Sequence, residues 1–241
     1  MASVDILEAI KIDLKKAGNA KRAQHSLSFF KTGPGEYGEG DKFLGVTMPA
    51  IRVVVRKYWD NISVAQVSKL LSSIWHEERM AGLLILIEKF GRATAPEKAK
   101  IYHLYLKNIK GSINNWDLVD LTAPRIVGMY LIDKSRLPLY KLAVSKNLWE
   151  RRVAILSTFC YIYSSDGSDA LKISALLLKD RHDLIHKAVG WMLREVGKRC
   201  DTRKLEDFLA KHAPEMPRTM LRYAIEKLPL ARRKYWLNFK L

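Results

Sequence analysis

The sequence predicts an all-α protein, an α-solenoid of tandem HEAT-like helical repeats with a basic concave face. Three observations carry that expectation. Apolar residues recur with helical period almost throughout, and no convincing alternating strand interrupts them. A short pattern, a basic or potentially basic residue two places before an alanine, returns at RMAGLLIL, RVAILSTF, HKAVGWML and RYAIEKLP, placing Ala81, Ala154, Ala188 and Ala224 in register. Forty-two Lys and Arg face 25 Asp and Glu, a net charge of +17.

The elements follow in order. Residues 4 to 16 carry Ile6, Leu7, Ile10 and Leu14 at helical spacing, with lysines between. Ala20 to Lys31 is a second helix. Residues 32 to 47 hold five glycines and break the pattern. Pro49 suits the first turn of a helix reaching Trp59. Ser63 caps Val64 to Leu71. Glu77 to Phe90 follows, closed by Gly91. Thr94 caps the next helix, with Pro96 and Glu97 in its first turn. After a stretch around Trp116 come Pro124 to Leu131, Pro138 to Ser145, Leu148 to Tyr163, Ser168 to Leu178, His182 to Arg199, Thr202 to His212, Pro217 to Leu228 and a last basic turn. The alanines lie 73, 34 and 36 residues apart, and the long gap has its midpoint near residue 117. A period near 36 with two helices per period is the mark of a solenoid. In such a stack the recurring basic residues line one continuous surface, and residues 1–241 read as a single repeat domain with a Gly-rich loop at 32–42.

The totals exclude several classes. Hydrophobic content of 48% is too high for a disordered tail. So large an excess of positive charge calls for a polyanionic partner, nucleic acid before anionic membrane. Two cysteines, Cys160 and Cys200, make no disulfide framework or Cys-based zinc site, which fits a reducing compartment. Asp5, Glu8 and Lys11 interrupt any signal-peptide core, and the apolar run at 81–88 is too short to span a bilayer. The expectation is an intracellular protein of cytoplasm or nucleoid, monomeric, with no obligate protein partner and no membrane attachment.

Several motifs carry little. Gly33-Pro34-Gly35-Glu36-Tyr37-Gly38 fits GxGxxG on paper, but no strand precedes it and Glu36 would repel phosphate, so it reads as a flexible connection. His182 and His186 have a spacing able to grip a metal, yet HDLIH is not HExxH and no third ligand stands out. No metal and no cofactor is expected. No GxSxG or Cys-His nucleophile pattern is visible. The tail Arg232-Arg233-Lys234-Tyr235-Trp236 could meet phosphate or a membrane surface, though such ends usually pack their rings and solvate their charges.

Three constellations remain. In NNWDLVD, Trp116 and Asp120 share one helical face while Leu118, Val119 and Leu121 point to a core. In LWERRVAIL, Trp149 stands with Arg152. In HKAVGWMLREVGK, Trp191 stands with Lys187 and Arg194. Each alone has a core-packing explanation. Together they place a flat aromatic and a charge in three successive repeats.

These motifs, with FLGVTMPAIR at 43–52, resemble the HEAT-repeat DNA alkylation repair family, the AlkD-type alkylpurine DNA glycosylases, over nearly the whole chain. The resemblance implies a helical-repeat fold cradling duplex DNA that contains alkylated purines, and hydrolysis of the N-glycosidic bond of N3- or N7-alkylated purines. It implies Asp120 as catalytic carboxylate, Trp116 and Trp191 as lesion-facing aromatics, and Arg152 as a DNA-backbone arginine. Arg194 and Arg52 match further DNA contacts, Lys187 accompanies Trp191, and Phe29 falls where the family can place a tyrosine pressing on the duplex. The shorter family members lack the Gly-rich stretch at 32–42.

The chemistry suits these residue types. A cationic alkylpurine is already a good leaving group. The sugar, which gains oxocarbenium character, is what a fixed carboxylate stabilises, and the same group can orient water. Asp117 has that chemistry too; helical geometry and the resemblance favour Asp120. The alternative is a noncatalytic HEAT-repeat nucleic-acid-binding scaffold, for which an acid beside exposed indoles would be a liability.

Overall fold

The computed structural model describes residues 5–239. Among them the regular structure is helical, apart from one isolated parallel bridge between Lys42 and Trp75. The helices are α1 (Ile6–Lys16), α2 (Ala20–Phe29), α3 (Met48–Tyr58), α4 (Val64–Leu71), α5 (His76–Arg92), α6 (Ala95–Asn108) and α7 (Trp116–Ala123). A π-helical turn (Pro124–Gly128) follows. Then come α8 (Leu137–Ala143), α9 (Leu148–Ser157), α10 (Phe159–Tyr163), α11 (Ser168–Leu176), α12 (Asp183–Arg199), α13 (Thr202–His212), a 3₁₀ turn (Ala213–Glu215), α14 (Arg218–Ala224) and α15 (Leu230–Asn238). The chain packs as two compact units, one ending at Thr122 and the other beginning at Ala123.

Local chemistry sets many of the boundaries. Ser63 and Gln66 form a capping box on α4, and Thr94 and Glu97 form another on α6. Asn19 and Asp201 cap α2 and α13 through their side chains. Elsewhere the structure corrects the sequence expectation. Val4 lies outside the described residues, and α1 starts at Ile6. Gly91 does not stop its helix, which runs to Arg92. The expected helix 148–163 is divided at Thr158 into α9 and α10. Pro124 does not open a new helix: the backbone passes from α7 into a π turn, where a ring without an N–H fits a widened hydrogen-bond ladder.

In the first unit α5 is the hub, touching α1, α3, α4 and α6. It is buried almost all round from His76 to Leu86, including the fully buried Leu83, Ile85 and Leu86. In the second unit α12 has that place, packing on α9, α10, α11, α13 and α14. Gly190 lets α14 approach it closely, since a Cβ there would collide with the Met220 carbonyl.

The four register alanines are all buried, at 0, 0, 1 and 1% exposure for Ala81, Ala154, Ala188 and Ala224. The small residue lets helices meet, as the repeat requires. Two of the four basic residues preceding them do not lie on the expected exposed stripe, although Arg222 is exposed. Arg79 and Arg152 are each 4% exposed. Arg79 Nε donates to the Ser112 carbonyl at 3.0 Å, and Arg152 Nη1 donates to the Leu184 carbonyl. Both acceptors lie about one repeat further along the chain. At these two positions the guanidinium satisfies a carbonyl of the next helical pair, so Arg79 and Arg152 are ties between repeats.

Candidate nucleic-acid interface and active site

In the first unit the candidate residues gather around α7. Asn115, fully buried, accepts from the Trp116 N–H at 2.8 Å, and Asp117 accepts from the Leu118 N–H at 2.9 Å, so the helix start is pinned by its own side chains. Leu118, Val119 and Thr122 face the core, with Thr122 hydrogen-bonded to the buried Tyr105 hydroxyl at 2.8 Å. Burial pushes the Tyr105 phenol upward, with the charge of Asp120 adding to the effect. Leu121, expected in the core, is half-exposed with Trp116, Asp117 and Asp120.

Trp116 is held by rings from the end of α2. Phe30 stacks on it with centroids 5.4 Å apart. Phe29, 54% exposed, meets it edge-on at 5.8 Å. The structure thus joins Phe29 to Trp116 across 87 positions of sequence. A stacked neighbour fixes the plane of an indole at small entropic cost.

Behind this wall lies a buried polar cluster that the sequence reading passed over. His76 Nδ1 is 3.0 Å from Asp41 Oδ2, and its Nε2 is 2.9 Å from Asp117 Oδ2. Arg79 Nη2 donates to Asp41 Oδ1, and Asn115 Nδ2 donates to Asp41 Oδ2 at 3.3 Å. Burial opposes a charge on His76, but Asp117 and Asp41 outweigh it and lift its pKa to about 9. Burial also pushes the Asp41 carboxyl up, and His76 and Arg79 more than reverse that, holding it below its ordinary value.

The Gly-rich segment delivers Asp41. Residues 32–41 turn back through consecutive turns, with Glu36 and Glu39 accepting from the Gly33 and Gly35 N–H groups at 2.8 and 3.0 Å. Gly38 passes so near α7 that a Cβ would collide with the Phe30 carbonyl and press on Asn115. Next along, Glu77 accepts from the N–H groups of Leu44, Gly45 and Val46 at 2.9, 2.7 and 3.1 Å. Arg52, on α3, is exposed.

One signal in the sequence could have found this cluster. Four consecutive polar residues, His76 to Arg79, lead directly into an apolar run, and all four are buried at 6% exposure or less. Hydrophobic periodicity assigns such a run to solvent because it assumes charges are unpaired.

The second unit carries the other expected residues. Trp191 on α12 is half-buried, tilted against Phe159 at 5.6 Å. Lys187 pairs with Asp183 at 2.6 Å and keeps 42% of its side chain exposed. Arg194 pairs with Glu226 at 2.5 Å and with Glu195 at 3.3 Å. Trp149, expected to offer an open face beside Arg152, is instead 6% exposed and belongs to the core. His182 accepts from the Leu184 N–H as the cap of α12, and His186 contacts the Asp180 carbonyl. Among the described residues, no three His, Cys, Asp or Glu side chains are grouped to hold a metal ion, and no helix is long and apolar enough to cross a membrane.

A family model described as DNA alkylation repair enzyme matches residues 10–228. The chain belongs to the DNA alkylation repair enzyme family. Membership gives it a role in DNA repair. Among solved structures it is similar to a predicted DNA alkylation repair enzyme from Enterococcus faecalis, at 15% identity and a TM-score of 0.69, over 88% of this chain and 97% of that one. At that identity the likeness shows a shared helical fold. No curated protein matches the chain.

Proposed function

We propose that this family member is a monofunctional DNA glycosylase that hydrolyses the N-glycosidic bond of cationic N3- or N7-alkylated purines in duplex DNA. The observation that carries the reading is the half-exposed face that Trp116 and Asp120 share on α7. Trp116 and Asp120 are one helical turn apart, and the Asp117 carboxylate between them meets His76 Nε2. Of the two acids, we assign Asp120 to the sugar because it shares the helical face of Trp116.

In this reading Asp120 stabilises the oxocarbenium-like sugar and orients the attacking water. Trp116 offers its electron-rich face to the cationic base and excludes water, and Trp191 contributes a second indole. The leaving purine is already charged and needs no general acid. Phe29, beside Trp116, presses on the duplex. Arg52, Lys187 and Arg194 supply phosphate contacts that set affinity and register. Arg152, buried on the Leu184 carbonyl, ties α9 to α12 from within.

The deciding experiment measures release of free base from methylated duplex DNA in single turnover. Asp120→Asn should slow release by about 10²–10³, the usual effect of losing one such electrostatic group, with duplex affinity little changed. Wild-type release by that variant would leave a DNA-binding scaffold instead.

A further inference from the structure

The buried cluster behind Trp116 has no part in the chemistry above, yet it touches the site by two routes. Asp117 is the residue after Trp116, and its carboxylate meets His76 Nε2 at 2.9 Å. Phe30, which stacks on Trp116 at 5.4 Å, also packs on the His76 ring at 5.0 Å. Phe43 covers the ring from a stacked position at 4.7 Å. His76 is 3% exposed.

A neutral imidazole has one N–H and would turn a lone pair toward one of its two carboxylates. Only the imidazolium donates to both, and it also suits the flanking aromatic faces. The charges then cancel: His76 and Arg79 positive, Asp41 and Asp117 negative. These are the charged groups that face the ring, Asp41 from the Gly-rich segment, Asp117 from α7, and Arg79 from its own helix through Asp41.

We propose that His76, held as an imidazolium between Asp41 and Asp117, is a positioning residue that sets the orientation of Trp116 toward the DNA lesion. The proposal rests on the glycosylase reading for its catalytic consequence, but the placement of the indole can be read without activity. The segment 32–42 has a role in consequence: it carries the carboxylate that completes the clamp on the side away from α7. Loss of the ring proton would leave one carboxylate facing a lone pair, release the start of α7, and let the indole turn.

The test uses the full chain labelled with 5-fluorotryptophan, the Trp116 fluorine resonance being assigned with Trp116→Phe. In the wild type this resonance should move with a midpoint near pH 9, in step with the nitrogen resonances of His76. In His76→Gln it should be displaced at neutral pH and lack that transition. Single-turnover release by His76→Gln should fall about tenfold to a hundredfold, the scale of a misplaced reacting group, with duplex affinity kept. Asp120→Asn is measured beside it. Loss of release in Asp120→Asn with wild-type release and an unmoved Trp116 resonance in His76→Gln would overturn the positioning role alone. Unchanged release in Asp120→Asn would overturn the glycosylase reading, while the fluorine titration still decides whether His76 places Trp116. If His76→Gln fails to fold, the wild-type titration decides, and a singly protonated ring at pH 7 ends the proposal.

Discussion

Phe30 lies stacked on Trp116, with ring centroids 5.4 Å apart and 23° between the planes, although 85 residues separate them from one another in sequence. Its neighbour Phe29 meets the same indole through an edge and faces solvent. Two adjacent phenyl rings therefore do different work. Phe30→Ala should cost about 2–4 kcal/mol by leaving a void against Trp116 and His76. Phe29→Ala should stay within about 0.5 kcal/mol of wild type, as exposed substitutions usually do, yet weaken duplex binding. Denaturant melts and binding titrations on both variants check this; equal stability losses would show that the wall has no inner and outer ring.

Arginines 52 and 152 should separate in the same way. Arg52→Ala should leave stability unchanged and reduce the slope of log affinity against log salt by about one. Arg152→Ala removes a buried donor from the Leu184 carbonyl and should lower stability by about 1–3 kcal/mol. A wild-type melting temperature for Arg152→Ala would contradict the tie between repeats.

The net charge of +17 bears on the partner as a whole. With about six phosphate contacts, affinity for duplex DNA should fall by roughly a thousandfold between 50 and 200 mM salt. A response flat in salt would point to a partner other than a polyanion.

Stability should also depend on pH through His76. Its pKa is raised from an ordinary 6.5 to about 9. A raised value means that the folded state holds the proton more tightly than the unfolded chain. The stabilisation is therefore complete below about pH 6.5 and disappears as pH rises through about 9, on the order of 3 kcal/mol in all. Asp41 acts in the opposite sense. Its lowered pKa gives stability that is present above its ordinary 3.8 and is lost as pH falls further. Urea midpoints across pH 6 to 10 in wild type and His76→Gln test the first part; parallel curves would exclude it.

Glu77 offers a test independent of the site. One buried carboxylate accepts from three consecutive backbone N–H groups, at Leu44, Gly45 and Val46. Gly45 holds a φ of 74°, and a Cβ there would collide with the Asn19 carbonyl, so the turn has little freedom to find other acceptors. Glu77→Gln replaces one acceptor oxygen with a donor and should cost about 1–3 kcal/mol. A neutral substitution would mean that water serves the turn equally well.

The helical character, the capped starts of α4 and α6, the buried register alanines and the Trp116–Asp120 face of α7 were all legible in the sequence, because each depends on contacts within a few residues or on a repeat of fixed length. The same local logic went wrong wherever a charge found a distant partner. Arg79 and Arg152 look like surface residues until the carbonyls of Ser112 and Leu184 arrive beside them. Trp149 looks like a platform until packing buries it.

By itself the sequence determined that the protein would be a helical-repeat molecule with a strong positive charge, and it singled out Trp116 and Asp120, four residues apart. Only the tertiary structure decided that Asp117 is bound to His76, that a glycine-rich turn brings Asp41 to the other side of that ring, and that Phe29 and Phe30 close on Trp116 from α2. Periodicity records which way a side chain leaves its own helix. It carries no information on what another segment, tens of residues away, will set against it, and for a buried ion that partner decides whether burial is tolerated at all.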